Sequence, residues 1–265
     1  MNRDHPTASV EVYRLPIDRS RPLLKSATAS VIRSAQVYLQ QSFDTLLAAD
    51  QRLAAWVRKM QELELQAVVF GGWARDRVVE MICDRDCPSR DIDFVAHGSL
   101  SVAEILPKDA VLNPFGGFGA QATCMHVDAW NLKDTFLIRR NGLPATFEAL
   151  PLTADYTVNA LVFKPAQFFQ QSELIDCGAV NAIQTSVLEF AADEVAQPRV
   201  QAARAIILAA RLQLDLSPTV RSFVKWVCEC QDAREAVTHG IRTYCPALWM
   251  RTAMLLLATT MKEEC

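Results

Sequence analysis

Asp91-Ile-Asp93, two aspartates separated by one residue, is the part of this sequence best suited to chemistry. If Asp91–Ala96 forms a strand, residues two apart point to the same face and the carboxylates stand side by side. Two ionised groups about 5–6 Å apart repel by roughly 3 kcal/mol at an effective dielectric of ~20. A divalent cation turns that repulsion into attraction, and hard Mg2+ prefers oxygen donors of this kind. On an exposed strand edge the same pair would be two solvated acids, so the neighbouring residues decide between the readings.

Those neighbours suit a phosphate. The apolar run Gln66-Ala-Val-Val-Phe70 reads as a buried strand that ends in Gly71-Gly72, and Trp73 to Cys83 reads as the helix leaving that turn. Two glycines let backbone approach an anion closely, and the helix start aims free N–H groups at it. Arg75, in the first turn, could add a charge-assisted contact to phosphate, while Asp76 is assigned to stabilising the helix start. A plain strand-to-helix turn would carry the same residues.

Asp128, in the alternating segment His126-Val-Asp128-Ala-Trp130, is the candidate third acid. Two-metal phosphoryl-transfer sites need a carboxylate that helps one ion lower the pKa of the attacking hydroxyl. Asp155 and Asn159 lie where a turn leads into the candidate strand Thr157–Lys164, placed either to contact a ribose or to orient the turn. Arg204 and Arg211, seven apart, share a helix face; Arg211 reads as a snorkelling or salt-bridged side chain.

The elements that must position these residues follow from periodicity. Residues 1–25 read as an extended arm, Ser26–Leu47 and the segment around Leu53–Leu65 as amphipathic helices. Further strands are expected at Ala122–Val127, Thr135–Arg139 and Glu173–Ile175. The remainder is helical: a stripe from Val200 to Leu214, a helix opened by the N-cap pair Ser217-Pro218, and a last helix from Pro246 to Met261. The expected architecture is α+β: an N-terminal arm with helices (1–65), a head with a small mixed sheet (66–195) and a helical neck-like domain (196–265).

Composition narrows the class. With 51% hydrophobic and 22% charged residues the chain is ordinary globular protein, and no apolar run approaches the about 18 residues that suggest a membrane span. Met1 to Thr7 is polar, without the features of a signal peptide, so a soluble cytoplasmic protein is expected. The eight cysteines include no C-x-x-C, and Cys83-x-x-x-Cys87 has no second pair, which argues for reduced, packed thiols rather than zinc. A net charge of −3 favours small or short substrates over long RNA held by its phosphates.

Taken in order, Gly71-Gly72-Trp-Ala-Arg75-Asp76 and Ser89-Arg-Asp91-Ile-Asp93-Phe-Val resemble the head-domain signature of class II tRNA nucleotidyltransferases and bacterial poly(A) polymerases, within the DNA polymerase β-like superfamily. Phe118-Gly119, Asp155-Tyr-Thr-Val-Asn159-Ala-Leu, Leu174-Ile-Asp176 and Arg204-Ala-Ile-Ile-Leu-Ala-Ala-Arg211-Leu resemble later family segments, so the likeness runs over about 66–215. The resemblance implies a mixed five-stranded nucleotidyltransferase sheet with flanking helices, followed by an all-helical neck. It implies transfer of a nucleoside monophosphate from an NTP to a hydroxyl with release of pyrophosphate. By position, Asp91 and Asp93 would hold two Mg2+ ions and Asp128 one of them; Gly71, Gly72, Arg75, Asp155, Asn159 and Arg204 would form the nucleotide-binding set.

The departures concern the substrate. Thr153-Ala154 stand where the family has two arginines, and Gln197-Pro198-Arg199-Val200-Gln201 replaces the Glu-Asp-x-x-Arg that reads the base. Gln201 cannot supply a guanidinium fork, and little chain follows the neck to clasp a tRNA. The expectation is therefore a nucleotidyltransferase with altered nucleotide choice, whose acceptor is a short RNA 3′ end, a small molecule or a protein side chain. The alternative is a catalytically weak nucleotide-binding or interaction module with the same fold.

Overall fold

The computed structural model describes residues 12–14, 27–98, 107, 109–112, 117–192 and 194–262. The arm expected over 1–25 therefore lies outside the described residues except for β1 (Val12–Arg14). Then come α1 (Ala29–Ala49), α2 (Gln51–Glu62), β2 (Gln66–Phe70), α3 (Gly72–Cys83) and β3 (Asp91–His97). They are followed by β4 (Val111–Leu112), β5 (Phe118–Gln121), β6 (His126–Asn131), α4 (Phe136–Asn141), β7 (Leu161–Lys164), β8 (Glu173–Asp176) and α5 (Ala179–Gln184). The chain ends with β9 (Val187–Leu188), β10 (Glu194–Ala196), α6 (Pro198–Leu212), β11 (Asp215–Leu216), α7 (Pro218–Val227), α8 (Gln231–Tyr244) and α9 (Ala247–Lys262). It divides into two compact units, Leu23–Thr185 and Ser186–Cys265 with Met1–Pro22.

The first unit is built on a seven-stranded sheet in the order β4-β5-β6-β3-β2-β7-β8. Its strand pairs are antiparallel except for β3 with β6. The sheet is mixed, as expected, but has seven strands among the described residues rather than five. The two additional strands, β4 and β5, extend the edge beyond β6; they span only 2 and 4 residues, too short for alternation to reveal. The strand expected over Thr135–Arg139 is instead α4, which stops at Gly142 in the left-handed conformation (φ 60°). A segment this short fits either period, and the glycine C-cap was the better signal. The strand expected to begin at Thr157 starts at Leu161, after a 3-10 turn over Thr157–Asn159.

Each face of the sheet has its own core. On one, Phe43 of α1 is fully buried and meets Trp73, Phe94 and Phe163 edge-on, with ring centroids 6.0, 6.2 and 6.1 Å away. Such aromatic pairs contribute beyond the area they bury. On the other face Val68, Val95 and Val162 pack with Leu132, Ile138, Phe147 and Leu150. Both sides of β2 are thus covered, which is why its sequence is continuously apolar rather than alternating. The helices α1 and α2 belong to this sheet unit.

Asp50, fully buried, turns the chain between α1 and α2. Its Oδ1 accepts the N–H groups of Arg52 (3.1 Å) and Leu53 (3.0 Å), capping α2, and its Oδ2 accepts the N–H of Cys124 (2.7 Å). One carboxylate therefore fixes a helix start and the turn that leads into β6.

In the second unit β1 pairs antiparallel with β10, and β9 runs parallel to β11. The Ala-rich helix α6 is packed by α7, α8 and α9, and a Cβ on Gly240 of α8 would lie 3.1 Å from Ala203 of α6. Ser217 caps α7 as expected, accepting the Val220 N–H at 3.1 Å, with Pro218 at the first helical position. No helix among the described residues is long and apolar enough to cross a membrane.

The Asp50 contacts set a pH dependence. Burial opposes its ionisation, but the N–H groups of Leu53, Cys124 and Thr123 outweigh it and hold the pKa below the ordinary 3.8. A depressed carboxylate contributes stability that is complete above the unfolded value and lost as pH falls through the folded one. Asp50→Ala is expected to destabilise the first unit by about 1–3 kcal/mol at neutral pH in urea unfolding, with the gap to wild type closing below pH 3.8. A gap that persists unchanged below that pH would contradict the assignment.

Candidate active site

The face of the sheet that packs through Val95 changes character along β3. Asp91 and Asp93 share that face with Val95, by the two-residue alternation of a strand; Asp91 is exposed, Asp93 half-buried and Val95 buried. Along β6 the same face runs from exposed His126 through half-buried Asp128 to Trp130, which is half-buried and packs against the core cluster. Parallel pairing sets Asp91 opposite His126 and Asp93 opposite Asp128, on strands about 4.8 Å apart. The three candidate acids are thus gathered on one open end of a sheet face whose other end is core.

Antiparallel pairing of β2 with β3 carries the turn after Phe70 to this same end. Gly71 adopts φ 69° and ψ −114°, a conformation that glycine alone takes up readily. It caps α3 without a side chain, leaving the first-turn N–H groups with no side-chain acceptor at the cap. A Cβ built on Gly72 would stand 3.9 Å from both an Arg75 Nη2 and an Asp91 Oδ1. The glycine turn, the arginine and the first acid are therefore neighbours in space.

Arg75 is only 4% exposed, and its guanidinium is held by the protein. Nε and Nη2 donate to Asp76 Oδ1 at 2.8 and 2.7 Å, and Nη1 donates to Asn159 Oδ1 at 2.6 Å. Ser89 Oγ donates to Asp76 Oδ2 at 2.8 Å. Asp76, assigned from sequence to the helix start, is instead the buried counter-ion of Arg75. This network ties α3 to the Asn159 turn and to the residues just before β3. Asn159 is thereby brought to the site. Asp155 is half-buried at the bend before the fully buried Tyr156, and Arg204 is exposed on α6 of the second unit.

Two residues to which the sequence pattern assigns no chemical role, His126 and Gly119, belong to this end of the sheet. His126 Nε2 lies 3.6 Å from Asp128 Oδ2. Gly119, opposite Asp128 on β5, makes room for both: a Cβ there would come within 2.8 Å of His126 Nε2 and 3.0 Å of Asp128 Oδ1. The signal available beforehand was the period-two placement of His126 before Asp128. Burial pushes the Asp128 carboxyl above its usual range; His126 opposes the shift and the nearby Asp91 charge adds to it. Among the described residues no group of three or more His, Cys, Asp or Glu side chains is drawn tightly enough to hold a metal as it stands. The donors fit one nonetheless, because hard carboxylate oxygens are what Mg2+ takes and a cation would relieve the Asp91–Asp128 repulsion.

The buried network is the part of the site most open to a stability test. Removing one partner of a buried ion pair strands the other charge and costs about 3–5 kcal/mol. Arg75→Ala is expected to lose that much in denaturant unfolding, and Arg75→Lys to recover little, since an ammonium cannot span Asp76 and Asn159 as a fork does. Wild-type stability for Arg75→Ala would show that the network does not hold the turn.

No protein-family model and no curated protein sequence matches the chain. Solved structures do. A CCA-adding enzyme in complex with ATP aligns over 88% of this chain and 54% of its own, at 16% identity and a TM-score of 0.58. The CTP complex of a CCA-adding enzyme aligns over 86% of this chain and 55% of its own (17% identity, TM-score 0.56), and a tRNA-processing enzyme over 77% and 58% (18% identity, TM-score 0.55). The chain thus spans little more than half the length of these structures. At such identities the likeness establishes architecture alone: this chain shares a fold with solved CCA-adding and tRNA-processing enzymes.

Proposed function

We propose that this chain is a Mg2+-dependent nucleotidyltransferase, moving a nucleoside monophosphate from an NTP to a hydroxyl acceptor with release of pyrophosphate. The observation that carries this reading is the gathering of Asp91, Asp93 and Asp128 at the open end of one sheet face, beside the Gly71-Gly72 turn. In the reaction the acceptor oxygen forms a bond to the α-phosphorus, the bond from that phosphorus to the β-phosphate bridging oxygen breaks with its electron pair leaving on pyrophosphate, and the hydroxyl proton passes to solvent.

Each residue has a task in that scheme. Asp91, Asp93 and Asp128 would hold two Mg2+ ions, which supply charge neutralisation and lower the pKa of the attacking hydroxyl. Gly71, whose own N–H donates to the Leu161 carbonyl, turns the chain so that the N–H groups from Gly72 onward at the start of α3 face the triphosphate. Arg75 fixes the turn through Asp76 and Asn159 and contributes its positive field to the phosphates. The fold shared with CCA-adding enzymes solved with ATP and CTP supports an NTP as donor. The acceptor is a hydroxyl on a short RNA 3′ end, a small molecule or a protein side chain.

Two observations favour a second reading, a nucleotide-binding module with weak catalysis. Three N–H donors of Arg75 are spent inside the protein, and Gln197, Pro198 and Gln201 stand where the resembled family has the two carboxylates and the arginine that read a base. Transfer distinguishes the two. Wild-type protein incubated with each α-labelled NTP, Mg2+ and short RNAs or cell extract is expected to label an acceptor, and Asp91→Ala to lower the rate at least about 100-fold, as removal of a key electrostatic group does. Transfer by Asp91→Ala at the wild-type rate would refute the carboxylate mechanism. NTP binding without pyrophosphate release for any acceptor would establish the second reading.

A further inference from the structure

We propose that His126 is a metal ligand of this site, placing one imidazole nitrogen beside the carboxylates and shifting its preference from Mg2+ towards Mn2+. The inference rests on the nucleotidyltransferase reading above and deepens it. It starts from the register of β3 and β6, which sets His126 opposite Asp91 just as it sets Asp128 opposite Asp93. The four side chains occupy one face of the sheet, on two adjacent strands.

The separation of the two β6 groups is informative. His126 Nε2 and Asp128 Oδ2 stand 3.6 Å apart, longer than the about 2.7–3.2 Å of an ordinary N–H···O hydrogen bond. With metal–ligand bonds of about 2.1 Å, two ligand atoms on one ion stand about 3.0–3.4 Å apart between octahedral and tetrahedral angles. The pair needs to close by only a few tenths of an ångström to share an ion. Both side chains are also reachable from solvent, at 45% and 34% exposure.

Gly119 carries the argument further. In β5 any other residue would put a Cβ 2.8 Å from Nε2 and 3.0 Å from an Asp128 oxygen, so the space over this glycine is where the nitrogen and the carboxylate stand together. A nitrogen donor changes selectivity because Mg2+ demands hard oxygens, whereas first-row transition ions gain from imidazole. Mn2+ is the member of that series that also accepts a carboxylate-rich shell.

Electron spin-echo modulation on Mn2+-loaded protein reads the contact directly, since a coordinated imidazole imprints its 14N coupling on the Mn2+ echo. Wild type is expected to show that coupling. His126→Ala is expected to keep Mn2+ through the carboxylates but lose the coupling, and its Mn2+/Mg2+ affinity ratio is expected to fall about tenfold or more. Gly119→Ala, which displaces Nε2, is expected to lose the coupling as well. Mn2+ bound to wild type without 14N coupling, or coupling that survives in His126→Ala, overturns the inference and leaves the carboxylate reading standing. Failure of wild type to bind Mn2+ at all overturns both.

Discussion

The parallel pairing of β3 with β6 is the constraint on which the site depends. In that register Asp93 lies opposite Asp128, with Asp91 two residues before it on the same face. Such a placement is unfavourable in itself, since burial and Asp91 both disfavour ionisation of Asp128. It persists because the other end of the same face is apolar and packed: Val95 and its neighbours hold the strands in a register that a one-residue slip would turn inside out. The core stabilises an arrangement that the acids oppose. Sheets that keep carboxylates together in this way gain most when a cation arrives.

The second support is the buried network under the glycine turn. Arg75, Asp76, Asn159 and Ser89 connect the start of α3, the turn before β7 and the segment before β3 by charge-assisted bonds of 2.6–2.8 Å. Such bonds are worth roughly twice neutral ones, and here all four join side chains packed under the turn. Gly71 can hold its positive φ, and Gly72 can stand between the guanidinium and Asp91, because everything around them is tied down. Asp50 does the equivalent work on the far side of β6, clamping the turn at Cys124.

Much of this is legible in the sequence. The Asp-Ile-Asp alternation, the apolar run into Gly-Gly and the Ser-Pro helix start each have one dominant physical interpretation, and β3, the α3 turn and the α7 cap appear where those patterns put them. Short segments were less legible. The residues Thr135–Arg139 fit strand or helix period equally, and only Gly142 marked the helix end. The edge strands β4 and β5 gain their identity from partners distant in sequence, as edge strands do. Roles that depend on tertiary partners were hidden altogether: Asp76 as the counter-ion of Arg75, and Gly119 as the space beneath His126.

A fold shared with CCA-adding enzymes over little more than half their length leaves the chemistry to be decided at the carboxylates. The most direct measurement is anomalous diffraction from crystals of the protein soaked with Mn2+ and a non-hydrolysable NTP analogue. An anomalous peak bounded by Asp91, Asp93 and Asp128 is expected, with the triphosphate against the backbone of Gly71 and Gly72. Density for the metal or the triphosphate at another place, with these carboxylates left bare, would contradict it.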